Sequence, residues 1–435
     1  LQNFNNAGGW PHAMIQTWAL VLGKLAPSTA APTQCRCTLN EDHKMTSANF
    51  CTAYPWVERL ISMDTTSALS NLGLIEVVRD YFKSYGIDST LIYDRDGRKA
   101  NLFATVPACD GSTTGGLVLS GHTDVVPVTS QAWASDPFSP TVRDNKLYGR
   151  GACDMKGFIG VALEQLPNML RTALKAPLHF ALSYDEEIGC AGAPSMVQDL
   201  VKRGVAPQGC IVGEPTGMGI VVAHKGINAY RCKVKGHAAH SSLQPAGVNA
   251  IEYAARLITF ISDLARQSSH HGPFDEGFDV PFSTAQTGTI SGGIAINTIP
   301  EHCEFQFEFR NLPGVDPESI YAKITRYAEE VLQPEMKSRV HTAGIVFEKI
   351  SRAPALSPSE KEAICTLIAG LRQDTRVRRV SYATEAGLFQ EVGVPTIVCG
   401  PGYIEQAHKA NEYVSLEQLD LCNSFLNKLV LSQQV

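Results

Sequence analysis

Apolar residues recur at helical spacing from Tyr54 to Gly86, through Leu60, Leu69, Leu72, Ile75, Val78 and Phe82. That spacing predicts helix. Beyond it, short apolar runs alternate with helical pattern. Gly116-Leu-Val-Leu-Ser120, Leu178-His-Phe-Ala-Leu-Ser-Tyr184, Cys210-Ile-Val-Gly213 and Thr396-Ile-Val-Cys-Gly400 read as short buried strands, with a helix over Phe158 to Leu170 among them. Near-continuous apolar strands suit a sheet covered on both faces. The middle of the chain reads differently. Val222 to Lys235 predicts a strand-pair region and Val248 to Leu264 an amphipathic helix. Cys303-Glu-Phe-Gln-Phe-Glu-Phe-Arg310 alternates strictly, so one face of that strand is apolar and the other polar. Asp316 and Pro317 supply an N-cap and a first helical residue for a helix through Leu332.

These patterns predict an α/β fold interrupted by an α+β module. The expected division is an extension over 1–45, one discontinuous domain over 46–225 and 345–435, and an inserted domain over 226–344. The extension holds a short apolar stretch, Met14 to Leu22, followed by Ala/Pro/Ser/Thr-rich sequence. A targeting segment and an extension of unclear role are both open readings, and the basic start of a signal peptide is missing.

The candidate strands end at chemically suggestive residues. His122 lies in Ser120-Gly-His-Thr-Asp124, Glu186 and Glu187 in Tyr184-Asp-Glu-Glu-Ile-Gly189, and Glu214 in Gly213-Glu-Pro-Thr216. Asp154 lies in Gly149-Arg-Gly-Ala-Cys-Asp-Met-Lys-Gly157, and His408 follows the last strand in Gly400-Pro-Gly-Tyr-Ile-Glu-Gln-Ala-His408. In open α/β sheets ligands bind beyond the carboxyl ends of the strands. Any one of these residues alone is more simply a turn or surface group. Their joint order argues for a metal site assembled by folding. Zinc accepts His nitrogen and carboxylate oxygen, and a pair of ions can share a bridging carboxylate. His122, Asp154, Glu187, Glu214 and His408 are sufficient as ligands. Asp124 is expected to hydrogen-bond the second ring nitrogen of His122. Of the adjacent Glu186 and Glu187, one can bind metal while the other serves as general base, which makes amide hydrolysis the natural reaction class.

Composition narrows the picture. The 435 residues carry a net charge of −6 and no basic run, which argues against nucleic-acid binding. No apolar run approaches the roughly 18–20 residues of a membrane span. Twelve cysteines are scattered without framework spacing, so a reduced, cytoplasmic setting is expected.

With these motifs in place, the chain from about Asp64-Thr-Thr-Ser67 to Glu412 resembles the di-zinc amidohydrolase and exopeptidase family. That family includes carboxypeptidase G, aminoacylase, succinyl-diaminopimelate desuccinylase and acetylornithine deacetylase. His224-Lys-Gly226 and the Gly400 to His408 element narrow the resemblance to the deacetylase branch. The resemblance implies a zinc-exopeptidase-like mixed sheet flanked by helices, with an inserted ferredoxin-like dimerisation and lid domain. It implies two divalent ions, zinc with cobalt able to substitute, bridged by Asp154. His122 and Glu214 would complete one site, and Glu187 and His408 the other. Glu186 would be the general base and Asp124 the partner behind His122. The Asp154–Met155 peptide would be cis.

The resemblance further implies that His240 stabilises the oxyanion in the partner subunit of a homodimer, and that Arg310 and Asn297 contact substrate. His237 fits no family role, and His270 and His271 are expected in a solvated polar loop. The implied substrate is a small N-acyl amino acid, N2-acetyl-L-ornithine first, in arginine biosynthesis. Acetylcitrulline, general acylamino acids and succinylated substrates are sister alternatives, and a noncatalytic metal-binding relative is a remote one. Cys153 stands where the family carries Thr or Ala, which raises oxidation of a thiol beside the bridging ligand as an expectation.

Overall fold

A computed structural model describes residues 52–435, so the extension expected over 1–45 lies outside the described residues. The chain forms β1 (Ser89–Tyr93), β2 (Ala100–Val106) and β3 (Leu117–His122), then the short β4 (Thr141–Arg143) and β5 (Lys146–Tyr148). β6 (Leu178–Ser183), β7 (Gly209–Pro215) and β8 (Ile220–His224) follow, and then β9 (Ile227–Lys235), β10 (Thr284–Gly292), β11 (His302–Arg310) and β12 (Gly344–Ala353). β13 (Val377–Val380), β14 (Thr396–Gly400) and β15 (Tyr413–Ser415) close the chain.

Eight strands make a mixed sheet in the order β1-β2-β6-β3-β7-β14-β8-β13. Within it β6, β3, β7 and β14 are consecutive neighbours and mutually parallel. Every residue of these four strands is buried, because helices cover both faces. Pro55–Ile61, Leu72–Ser84, Lys156–Glu164 and Leu416–Ser432 pack on one face through Val57, Val78, Phe158 and Phe425. Ala193–Lys202 and Ala386–Glu391 cover the other through Met196, Leu200 and Phe389. The helix expected over 158–170 is two helices, Lys156–Glu164 and Leu166–Arg171. Pro167 at the start of the second has no amide proton to continue the first.

A second sheet has the order β10-β11-β9-β12, all antiparallel. With helix Ala250–His271 after β9 and helix Pro317–Tyr327 after β11, this is the βαββαβ arrangement of a ferredoxin-like module. The alternation of β11 is realised. Phe305, Phe307 and Phe309 are buried against the helices, while Glu304 pairs with Arg231 on the open face. Asp316 caps its helix by accepting from Glu318 N at 3.0 Å.

The structure departs from the expected strand pairing in one place and from an expected boundary in another. β8 belongs to the large sheet and β9 to the small one, so the strand pair around Val222 to Lys235 is the crossing between sheets. β12 pairs with β9 from Gly344 to Ala353, so the small sheet runs past residue 344. The hydrophobic pattern of a strand shows that it is covered but not by which sheet.

Helix Lys156–Glu164 is seated by a close approach to β7. A Cβ on Gly213 would lie 2.0 Å from the Phe158 ring. Gly213→Ala is therefore expected to destabilise by about 1–3 kcal/mol through overpacking. Urea unfolding measures this as a lower midpoint at unchanged slope, and an unchanged midpoint would show that the ring gives way freely.

Candidate metal centre

Four ligand candidates converge because their strands are parallel neighbours. His122 ends β3, Glu187 follows β6, Glu214 lies near the end of β7, and His408 follows β14. Asp154 comes from the loop after β5 that leads into helix Lys156–Glu164. The Asp154–Met155 peptide is cis.

Two groups of donors form, and Asp154 belongs to both. His122, Asp154 and Glu214 present ligand atoms within 4.8 Å of one another, and so do Asp154, Glu187 and His408. The carboxylate divides between them. Its Oδ1 lies 2.9 Å from His122 Nε2, which is also 3.7 Å from Glu214 Oε1. Its Oδ2 lies 3.1 Å from His408 Nε2, which is 2.9 Å from Glu187 Oε2. Imidazole nitrogens and carboxylate oxygens in two overlapping sets fit a pair of divalent ions sharing one carboxylate.

Asp124 has a different place from the one expected. His122 Nδ1 donates to the backbone oxygen of Asp124 at 2.9 Å, while the Asp124 carboxylate is farther, at 3.6 Å. The backbone bond leaves Nε2 as the ligand nitrogen. The carboxylate instead accepts from Glu186 N at 3.0 Å, Glu187 N at 3.3 Å and Ser67 Oγ at 2.7 Å. It holds the turn that splits the two glutamates. Glu187 points to His408, and Glu186 Oε1 accepts from Cys190 Sγ at 3.2 Å. Lys99 steadies the same turn through Asp185 at 2.5 Å.

The electrostatics follow from crowding acids in a buried space. Burial, with neighbouring negative charges, pushes Glu186 up to about 8 against the pull of His122. Burial and Asp154 push Glu187 up to about 7. Burial also raises Glu214. Hydrogen bonds to Asp154 and Glu187 raise His408 to about 11. Burial opposes charge on His122, yet Asp124 and Asp154 outweigh it and raise its pKa. Burial opposes charge on Asp154 too, but both histidines hold its carboxyl well below the usual range. Without cations, protons neutralise the cluster; divalent ions would do the same work.

His240 and Asn297 lie elsewhere. They are neighbours on the small module, where Asn297 O accepts from Ser241 N at 3.0 Å and His240 bridges to Thr298. Both are exposed, and no hydrogen bond or ion pair links them to the donor groups. Ser242 N donates to His240 Nδ1 at 3.2 Å, which leaves Nε2–H free to donate outward. Arg310 sits half-buried on the open face of the small sheet, beside a cavity of about 370 Å³ lined by Thr284, Gln286 and Glu308. Its Nη1 reaches Ser381 O at 3.5 Å. The next residue, Tyr382, is raised by burial and by the charges of Glu214 and Asp154.

Three expectations are corrected. His270 and His271 form the last turn of helix Ala250–His271 rather than a loop, ended by Gly272 at φ 71°. The Cys153 thiol is 1% exposed and donates to Tyr403 O at 3.3 Å, and burial pushes its pKa up. Oxidation needs an accessible thiolate, so its setting speaks against that chemistry. The Asp124 carboxylate, as described, serves the glutamate turn first.

Sequence reasoning passed over Ser67, Arg150, Glu385 and Glu412. Glu385 is fully buried and accepts from Ser120 Oγ at 2.5 Å and Ser183 Oγ at 2.7 Å, tying β3 to β6 beneath the centre. For Arg150 and Glu385 the available signal was a charged residue beside glycine or apolar residues, and Ser67 and Glu412 carried no such signal. Among the described residues all nine cysteines are free, and no helix is long and apolar enough to cross a membrane.

The family model of Peptidase family M20/M25/M40 matches residues 118–432, and the chain belongs to that family. The acetylornithine deacetylase of Pasteurella multocida is 34% identical over 377 residues, covering 85% of this chain and 93% of its own. That of Myxococcus xanthus is 35% identical over 376 residues, covering 85% and 94%. Among solved structures, a dinuclear metal-binding peptidase of the M20 family from Bacillus subtilis aligns with a TM-score of 0.58. It is 15% identical and covers 87% of this chain and 97% of its own.

A pH dependence follows. Glu186, Glu187, His122 and His408 keep their protons to higher pH than in the unfolded chain. The metal-free folded state therefore binds more protons than the unfolded state from about pH 5 to 9, so its stability falls as pH rises. Lys156, pushed down to about 7 by burial, opposes this in part. Melting of chelator-treated protein is expected at lower temperature near pH 9 than near pH 6, and added zinc should flatten the difference. A melting temperature that climbs with pH in the chelated protein would contradict the assignment.

Proposed function

We propose that this protein hydrolyses the amide bond of N2-acetyl-L-ornithine to L-ornithine and acetate, using two divalent ions, zinc by donor chemistry. The observation that carries the reading is the Asp154 carboxylate, with one oxygen in each donor group. His122 and Glu214 would hold one ion, and Glu187 and His408 the other. The identity of about a third to the acetylornithine deacetylases, over most of both chains, supports the choice of substrate. Bound ions would supply Lewis-acid polarisation of the amide carbonyl and a more acidic water.

Glu186 takes the proton of the attacking water. It then delivers that proton to the departing amine as the C–N bond breaks. A carboxylate that holds no ion and stands beside that water can serve both halves of the transfer. Asp124 fixes Glu186 by its backbone, so the base keeps its place while the charge moves. Arg310 offers a planar donor for the substrate carboxylate. Asn297 would contact the substrate from the small module.

The test is hydrolysis of acetyl-ornithine, acetyl-citrulline, acetyl-methionine and succinyl-diaminopimelate by zinc- or cobalt-loaded protein. Acetyl-ornithine is expected to be turned over fastest. Glu186→Ala should lose about 10²–10⁴-fold in kcat while retaining its metal. A metal-loaded Glu186→Ala as fast as wild type would end the general-base role. Fastest turnover of another compound would move the substrate to a sister activity.

The inserted module is read as a lid that also makes a homodimer, with His240 serving the partner subunit's centre. β10 is an edge strand, and Ile290, Ile294 and Ile296 on and after it are exposed. His240 Nε2–H would donate to the developing oxyanion. Mixed dimers of Glu186→Ala and His240→Ala chains decide this. If His240 acts across the interface, mixing two inactive variants restores activity. If it acts within its own chain, mixing restores none.

A further inference from the structure

Glu412 lies behind the donor groups and belongs to neither. β15 pairs with β5 through Tyr413 and Tyr148, which draws residue 412 against the loop that carries Asp154. Gly149 N donates to Glu412 O at 3.0 Å. The Glu412 side chain turns the same way. Its Oε1 accepts from Cys153 N at 2.9 Å and from Asp154 N at 3.0 Å. Its Oε2 accepts from Arg150 Nη1 at 2.7 Å.

The connections continue to the other end of the centre. Arg150 Nη2 donates to Gln131 Oε1 at 2.5 Å, and Gln131 Nε2 donates to His408 O at 3.0 Å. Arg150 Nη1 also reaches Lys409 O at 3.3 Å. The backbone of Asp154 and the backbone of His408 are thus joined through Glu412, Arg150 and Gln131. His408 has φ 61°, a left-handed conformation uncommon outside glycine. The bond from Gln131 holds its peptide oxygen in that conformation. Glu412 and Arg150 are each 1% exposed. A buried ion pair is weak support for stability by itself, and its better use is to fix geometry.

We infer that Glu412 and Gln131 are positioning residues that set how the two donor groups are spaced. This rests on the two-ion reading above. Glu412 acts on Asp154, which serves both groups. Gln131 acts on His408, which serves one. The two residues therefore have different signatures. Glu412→Gln places an amide where Arg150 meets a charge and should weaken both ions by about 10–100-fold. Gln131→Ala should weaken one ion by about tenfold and leave the other as in wild type.

The experiment is stepwise zinc titration of the chelator-treated full chain against a chromophoric competitor, with circular dichroism confirming folded protein. Wild type taking up fewer than two ions would overturn the two-ion reading itself. Wild type taking up two, with Gln131→Ala unchanged or weakened equally at both, would overturn the positioning role alone. If Glu412→Gln fails to fold, the half-buried Gln131→Ala still decides. A merely structural residue would lower the melting temperature without separating the two affinities.

Discussion

Asp154 places one carboxylate oxygen in each of two donor groups, and the rest of the centre is arranged around that division. A carboxylate this deeply buried is costly unless each oxygen has a positively charged or donating partner. His122 and His408 supply those partners from strands far apart in the chain. The other acids, Glu186, Glu187 and Glu214, then crowd the same space, and burial raises each of them. Such a concentration of acids is tolerable when protons or cations balance it.

The large sheet makes the convergence geometrically simple. β6, β3, β7 and β14 are parallel neighbours, so their carboxyl ends lie side by side at strand spacing. Each need contribute only one residue at its end. The glutamate turn after β6 needs one more device, because adjacent side chains must take different roles. The Asp124 carboxylate supplies it by accepting both backbone amides. Glu385 does a similar service lower down by joining Ser120 and Ser183. The centre is thus held by carboxylates at two levels, some facing the donor groups and some facing the backbone that carries them.

The facing residues were legible in the sequence. His122, Glu187, Glu214 and His408 each stand in a glycine-bounded motif after an apolar run, a pattern that strand ends impose directly, and Asp154 stands in a glycine-bounded loop motif. The residues behind them were not. Glu412 resembles an ordinary surface charge until β15 is seen to pair with β5. Asp124 was legible as a partner of the centre, but its carboxylate favours two amides that only the turn after β6 brings near. His270 and His271 resembled a loop because two polar residues precede Gly272 and Pro273. They close a helix instead, since its apolar stripe carries the chain to the glycine.

The amino-acid sequence by itself determined the periodicities, hence which segments are strands and helices. It also determined which side chains stand at their ends, because both are local properties of the chain. Tertiary structure alone decided which strands are neighbours, where the small sheet stops, and that Asp154 divides its oxygens between His122 and His408. It also decided that His240 and Asn297 share a separate surface. Those outcomes depend on contacts between residues remote in sequence, and hydrophobic spacing carries no information about which distant partner a buried face will meet.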